Sequence, residues 1–222
     1  MKVSIVIPCY NKYHLLHQVL WDLYQHCKSD IDEIVVVDDA STDEGFQDGL
    51  KDFWFKQQLL PIKVLTLKQN VGFLKASNAG MKFSTGDIII LLSNDVRVQD
   101  NFIKAVKNLV QSESMVLIGN RLIAFDTGWN VFNGKTYQYL EGWLLACTMV
   151  AWKDLGGFDE KFAPNDYEDI DLSTKAVKKG YLLLSMDNLK VAHIGAQSYG
   201  YNPEREAITK INKEKFGKKW AK

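Results

Sequence analysis

The chain has 222 residues, 46% of them hydrophobic and 24% charged, and its 27 basic and 27 acidic side chains cancel to a formal net charge of zero. That length and composition suit one sizeable globular domain or two small ones, and the charge balance argues against a dedicated nucleic-acid binder. Three widely spaced cysteines, Cys9, Cys27 and Cys147, form no CxxC pair; neither a disulfide framework nor a zinc knuckle is expected, and a reducing cytoplasm is the simplest setting.

Residues 3–7 read as a buried first strand ended by Pro8-Cys9-Tyr10-Asn11. The run is too short and too β-branched for a signal peptide. Residues 12–28 carry Leu15, Leu16, Val19, Leu20, Leu23 and Tyr24 on one stripe, the pattern of a helix. His14, His17 and His26 on that helix read as surface or packing residues. A second strand over 34–37 runs into Asp38 and Asp39, and a helix is expected over about 43–57. A third strand at 62–67 precedes Asn70-Val71-Gly72-Phe73 and a helix over about 73–84.

Residues 88–92, Ile-Ile-Ile-Leu-Leu, look like the centre of the chain. An apolar run rich in β-branched residues suits a strand buried on both faces in the middle of a parallel sheet. It leads into Ser93-Asn94-Asp95. These residues form turns readily, but in open α/β sheets ligands bind at the carboxyl ends of the strands. The β-α-β-α-β-α-β order predicts a parallel α/β sheet with right-handed crossovers. Asn11, Asp38, Asp39, Asn70, Asn94 and Asp95 would then share one edge.

A helix over about 100–112 and a fifth strand at 115–119 follow. From 120 to 138 the pattern becomes antiparallel or irregular, with Asn133-Gly134 as a hairpin cue. Residues 142–151 are apolar, and the longest largely apolar stretch, 140–152, contains Glu141 and is too short to span a membrane. A helix with a plausible cap opens near Asn165 and runs to about Lys179 before Gly180. Short strands at 181–186 and 189–192 lead to His193. The tail from Pro203 is basic and roughly helical. It is expected to pack Ile208, Phe216 and Trp220 on the domain, with a weak membrane-surface contact as the other use of its charge.

Asp166, Glu168, Asp169 and Asp171 fall near one helix start. Acids there complement the helix dipole, but four in six residues repel one another and raise some pKa values, which suits a general base. A lone His193 is ordinarily structural; its weight rises if Asp95 binds a metal, since one carboxylate is too few for Mg²⁺ or Mn²⁺. No GxGxxG and no GxxxxGK[ST] occurs, which disfavours dinucleotide enzymes and P-loop ATPases.

Taken in order, residues 3–11, 33–43, Asn70-Val71-Gly72-Phe73 with Asn78-Ala79-Gly80, residues 91–95, Gly156-Gly157-Phe158-Asp159-Glu160 and Glu168-Asp169-Ile170-Asp171-Leu172 resemble the inverting family 2 glycosyltransferases of GT-A fold. The branch they look most like includes rhamnosyl- and galactofuranosyltransferases. The resemblance covers about 1–195. It implies a Rossmann-like, mostly parallel central sheet with helices on both faces and a smaller antiparallel or irregular acceptor-side part. One domain would hold a nucleotide-sugar half (about 1–119), an acceptor and catalytic half (about 120–202) and a basic helical tail (203–222).

For individual residues the resemblance implies the following. Pro8, Tyr10 and Asn11 would line the nucleobase pocket, and Asp38 and Asp39 would hold the base or ribose. Asn70, Gly72, Phe73, Lys75 and Asn94 would border the nucleotide, with Asn78 steadying that loop. Asp95 and His193 would ligate Mn²⁺ or Mg²⁺ on the pyrophosphate of a UDP- or dTDP-linked donor. Asp169, or else Glu168, would deprotonate a hydroxyl of a glycan, lipid-linked or protein-linked acceptor. Trp143 and Gly142 would form the acceptor wall, with Asp171 near it. The departure is Ser93, where the family's Asp-x-Asp signature has its first acid; it leaves a one-acid metal site. Two other classes stay open: a sugar nucleotidyltransferase, which would normally show a glycine- and lysine-rich first loop, and a non-catalytic nucleotide-sugar-binding module.

Overall fold

A computed structural model describes residues 1–43, 45–49, 59–195 and 202–221. In chain order the elements are β1 (Val3–Cys9), α1 (Tyr13–Cys27), β2 (Glu33–Asp38), α2 (Phe46–Gly49), β3 (Ile62–Thr66), α3 (Phe73–Phe83), β4 (Ile88–Leu92), β5 (Val96–Val98), α4 (Phe102–Ser112), β6 (Val116–Gly119) and β7 (Leu122–Ile123). There follow β8 (Val131–Phe132), β9 (Lys135–Thr136), β10 (Tyr139–Leu140), β11 (Leu144–Thr148), α5 (Met149–Leu155), α6 (Glu168–Lys178), β12 (Leu182–Ser185), β13 (Val191–His193) and α7 (Pro203–Trp220).

The main sheet has the order β12-β6-β11-β4-β1-β2-β3. β1 pairs in parallel with both β2 and β4, and β2 with β3. β4 is the middle strand, as the apolar run predicts, and Ile88, Ile89, Ile90, Leu91 and Leu92 are all fully buried. Its surroundings differ from the expectation on one side. β11 enters between β4 and β6 and runs antiparallel to both. The apolar 142–151 segment is therefore a strand of the central sheet that turns into α5 at Met149.

Alternate side chains of each strand feed two cores. Ile5, Ile7, Ile34, Val36, Ile88, Ile90 and Leu92 pack with α1 and α4 through Leu16, Leu20, Leu23, Phe102 and Val106. Val6, Val35, Val37, Ile89 and Leu91 face α3, α5 and α6 through Leu74, Met81, Trp152, Leu155 and Leu172. This is a period-two strand pattern buried on both faces. Gly80 lets α3 approach β1 and β2: a Cβ there would lie 2.4 Å from Val6 Cγ1 and 2.5 Å from Val37 Cγ2.

Other details correct the sequence reading. β1 carries Pro8 inside it and ends at Cys9, because pairing with β2 continues to Cys9↔Asp38 after pairing with β4 has stopped at Val6↔Leu91. Of the helix expected over 43–57, Phe46–Gly49 is helical, and 50–58 lie outside the described residues. α6 begins at Glu168 with no side-chain cap, since Asp166 and Tyr167 enter it in the left-handed region. His193 belongs to β13, which pairs with β5. The Asn133-Gly134 hairpin joins β8 and β9 with positive φ at both turn residues, as a two-residue type I′ turn requires. α7 packs on the domain as expected, with Phe216 fully buried against Phe132, Tyr137 and Tyr167. No described helix is long and apolar enough to cross a membrane.

Candidate active site

The carboxyl ends of β1, β2 and β4 lie on one edge of the sheet. β11 runs the other way, so the turn residues just before it, Gly142-Trp143, reach the same edge; the backbone NH of Ser93 donates to the Trp143 carbonyl at 2.8 Å. The Ser93-Asn94-Asp95 turn is thereby tied to a second strand.

Asp95 is buried. Ser93 Oγ donates to its Oδ1 at 2.5 Å, and His193 Nε2 lies 3.0 Å from the same oxygen. Antiparallel pairing of His193 with Val96, together with the Ile194 NH bond to the Asp95 carbonyl, fixes this approach. The Trp143 ring stacks on the His193 ring at a centroid distance of 5.2 Å and 11°. The sequence-predicted pair Asp95 and His193 is therefore brought together, and Trp143 braces the imidazole. The residue noted only as a departure, Ser93, is a direct partner of Asp95.

On the other side of Gly142 stands Asp169. The Gly142 NH donates to Asp169 Oδ2 at 3.1 Å, and the Ile170 NH to Oδ1 at 2.8 Å. Burial pushes the Asp169 carboxyl up to about 7, the two amides oppose this, and the charges of Asp166 and Glu141 add to it. Glu168 is buried, and burial first, then the Asp169 charge, raise its pKa well above the ordinary value. Its Oε2 has no hydrogen-bond partner among the described residues. The Tyr139 hydroxyl is pushed up to about 12 by burial and by the charges of Asp169 and Glu141. Gly142 and Trp143 thus form a two-residue bridge between an acid–imidazole pair and a raised-pKa carboxyl.

The expected repulsion among four acids holds for two of them. Asp166 is partly buried, but Arg205 and Thr209 more than offset that and hold its pKa below the usual range. Asp171 is fully buried and accepts from Trp220 Nε1 at 2.7 Å and Lys219 Nζ at 2.6 Å. Its expected place beside the acceptor is corrected: it anchors α7 to α6. Asp166 and Tyr167, with φ of 69° and 75°, are two consecutive non-glycine residues in a region that costs about 1–3 kcal/mol each.

The expected nucleotide residues line the first three strand ends. Asn11 Oδ1 accepts from the NH groups of Thr42 and Asp43 at 2.8 and 2.9 Å. The Ser41 NH donates to Asp38 Oδ1 at 2.8 Å. Asp39 accepts from the NH groups of Val71 and Gly72 at 2.8 and 2.9 Å; burial raises its pKa against those two bonds, and Asp38 adds to the rise. Asp38 and Asp39 therefore hold the loops at these strand ends. Asn70 Oδ1 accepts from the Gly72 NH at 3.2 Å. Gly72 has φ of +83°, and a Cβ there would stand 2.5 Å from Pro164 Cβ, so only glycine lets this loop meet the segment before α6. Asn78 exchanges two bonds with the Phe158 backbone, which joins α3 to the Gly156-Gly157 loop. Pro8 and Asn94 are buried, Phe73 and Lys75 partly so, and Tyr10 is exposed.

The sequence did not single out the 125–130 loop. Asn130 is fully buried and braces it, donating to the carbonyls of Phe125 and Tyr137 and accepting from Thr127. Phe125 and Trp129 remain exposed on it. The Tyr167 hydroxyl donates to the Trp129 carbonyl at 2.8 Å, linking the loop to the residue before Glu168. Its only sequence signals are the turn residues Asp126-Thr127-Gly128.

The sequence pattern of glycosyl transferase family 2 matches residues 4–169, most of the chain and all of the strand ends above. The chain belongs to glycosyl transferase family 2. It is similar to a dolichol-phosphate mannosyltransferase of Pyrococcus furiosus, 29% identical over 144 residues, 63% of this chain and 38% of that protein. Its fold is similar to that of a Pyrobaculum calidifontis mannosyltransferase in complex with GDP-mannose and Mn²⁺, with a TM-score of 0.66, 21% identity and coverage of 83% of this chain and 54% of that one. It is also similar to GalNAc-T7 with UDP, GalNAc and Mn²⁺, with a TM-score of 0.80, 17% identity and coverage of 99% and 48%. The α/β architecture is thus that of the GT-A glycosyltransferases. The chain spans about half or less of the length of these proteins.

Proposed function

We propose that this family 2 chain transfers a sugar from a nucleoside-diphosphate sugar, UDP- or dTDP-linked, to a hydroxyl of a glycan or glycoconjugate, with inversion. The observation that carries the reading is the Gly142-Trp143 bridge. It sets a raised-pKa carboxyl, Asp169, beside a carboxylate–imidazole pair, Asp95 and His193. Single displacement needs those two groups on either side of an anomeric carbon: a base for the incoming hydroxyl and a charge clamp for the departing diphosphate.

The donor set at Asp95 and His193, one oxygen and one nitrogen converging within 3.0 Å, fits Mn²⁺ better than Mg²⁺. Among the described residues no third His, Cys, Asp or Glu joins them, so the donor's diphosphate oxygens would complete the shell. The ion would neutralise charge developing on the leaving diphosphate. Trp143 keeps the imidazole in plane, and Ser93 fixes the rotamer of Asp95.

The base of the nucleotide would lie across Pro8, Tyr10 and Asn11, above the loops that Asp38 and Asp39 hold, with Asn70, Gly72, Phe73, Lys75 and Asn94 along its ribose and phosphates. Gly142 orients Asp169 toward the acceptor hydroxyl. Burial and the Asp169 charge both favour the protonated form of Glu168, which limits the negative charge beside Asp169. The acceptor would enter over the 125–130 loop, where Trp129 and Phe125 offer faces for sugar rings.

The test is a nucleotide-sugar panel read by thermal shift and by transfer to glycan acceptors, each with Mn²⁺ and with EDTA. Metal-dependent stabilisation and transfer by one donor, lost in Asp169→Asn, supports the reading. Binding without turnover points instead to a nucleotide-sugar-binding module, which the one-acid metal pair favours as the second reading.

A further inference from the structure

α7 lies beyond the stretch that the family pattern matches, yet it supplies most of the bonds that fix the backbone entering α6. Asn212 is fully buried, and its Nδ2 lies 2.7 Å from the Phe162 carbonyl, 2.9 Å from that of Asn165 and 3.0 Å from that of Asp166. Arg205 donates Nε to Asp166 Oδ2 at 3.2 Å and Nη2 to Oδ1 at 2.8 Å, a bidentate pair. Thr209 Oγ1 donates to the same carboxylate at 2.6 Å. Phe216 packs on the Tyr167 ring. Every one of these contacts falls on the four residues before Glu168 or on Phe162 just upstream.

The backbone they grip is the left-handed pair Asp166-Tyr167. A bulky aromatic residue does not choose that region by itself. A strained pair persists only where its surroundings over-determine it. Without the α7 contacts it would relax to ordinary φ values, and the first turn of α6 would rotate. Asp169 sits in that turn, and its bond to the Gly142 NH depends on the turn's direction.

We infer that α7 is the positioning element of the base, with Arg205 and Asn212 as positioning residues that hold Asp166-Tyr167 in the left-handed region and so aim Asp169 at Gly142. Neither side chain touches the reacting atoms. The inference rests on Asp169 being the base, and it explains why a basic helix outside the matched stretch is pinned by Asp159, Asp166 and Asp171 together.

The test compares Asn212→Ala, Arg205→Gln, Arg205→Lys and the double variant Asn212→Ala/Asp166→Gly in the full chain. Folding is checked by thermal melting. The Asp169 carboxyl is followed by ¹³C NMR titration, assigned with Asp169→Asn, and turnover of the donor found in the panel is measured. Asn212→Ala and Arg205→Gln are expected to move the Asp169 titration at least about one pH unit toward the ordinary carboxylate range as the side chain gains solvent. They are expected to lower kcat about tenfold to a hundredfold at unchanged donor KM. Arg205→Lys should retain an intermediate share, and Asp166→Gly should restore part of the Asn212→Ala loss, because glycine holds a positive φ without side-chain strain. Folded variants with wild-type titration and wild-type kcat would overturn the inference, as would a loss confined to donor KM. If no nucleotide sugar is turned over by the wild-type chain, the transferase reading fails; the titration arm still decides the positioning role.

Discussion

Gly142 and Asp169 are matched in both directions. The amide of Gly142 holds one carboxylate oxygen at 3.1 Å, and a Cβ at Gly142 would stand 3.3 Å from the Cβ of Asp169. The glycine is therefore a bond donor and a spacer at once. Gly142→Ala should fold and bind donor normally, because the crowding is a few tenths of an ångström. It should lose about tenfold or more in kcat as Asp169 is displaced. Steady-state kinetics with a melting curve checks this.

As the proposed base, Asp169 would act only when ionised. Its pKa is raised to about 7 by burial, so kcat should climb as pH rises through that value and level off above it. Asp169→Asn should lower transfer by about 10²–10⁴-fold and leave donor binding in place. Stability carries the opposite sign. The folded chain keeps a proton that the unfolded chain has lost, so this carboxyl's stabilising contribution is full below the ordinary carboxylate pKa and disappears as pH passes the folded value. Asp169→Asn should therefore melt a few degrees higher than wild type at pH 8, by less at pH 5, and no higher at pH 3, as scanning calorimetry would show.

Asp95→Ala and His193→Ala should each weaken Mn²⁺-dependent UDP binding, and EDTA should bring the wild type down to their level. Trp143→Ala removes the stack that steadies His193. It should cost about 10–100-fold in metal affinity, the scale of losing an outer support of a ligand. Calorimetric titration of UDP with and without Mn²⁺ separates the two effects; equal binding by wild type and variants in Mn²⁺ would remove the metal assignment.

Gly80→Ala tests the helix layer that carries the Asn70–Phe73 loop. Its Cβ would meet two β-branched side chains of the sheet, Val6 and Val37, below 2.6 Å. Overpacking of this kind costs about 1–3 kcal/mol. Urea denaturation should show that loss, with the denaturant slope unchanged.

The half of the fold legible in the sequence is the half made of local pattern. The runs in β1, β2 and β4 announce buried strands, and the polar residues after them announce an edge. Asp95 and His193 are legible in the residues themselves, and Asp169 and Gly142 through the family resemblance, Gly142 there as acceptor wall; nothing in their spacing tells that Gly142 would touch Asp169. β11 was not legible as a strand of the main sheet, because an apolar stretch that joins a parallel sheet in reverse looks like any buried segment. The roles of Asp171, Arg205 and Asn212 were equally hidden. A carboxylate near a helix start has the same signature whether it faces substrate or, like Asp171, a tryptophan and a lysine some fifty positions away. The handgrip of α7 exists only in three dimensions, and the left-handed Asp166-Tyr167 pair has no glycine to signal it.

The reversed strand has one last consequence. The Asp95–His193 pair and Asp169 are joined through Gly142-Trp143, the two turn residues that lead into β11, whose register against β4 begins at Leu144↔Leu92. The gap between the two groups is therefore set by a short turn anchored on a sheet ladder, with the Ser93 NH bonded to the Trp143 carbonyl. A slip of one residue in that ladder would shift Gly142 and Trp143 with it, removing the amide from Asp169 and the indole from His193 in one stroke. The strand start works as a ruler for the spacing between Asp169 and the Asp95–His193 pair.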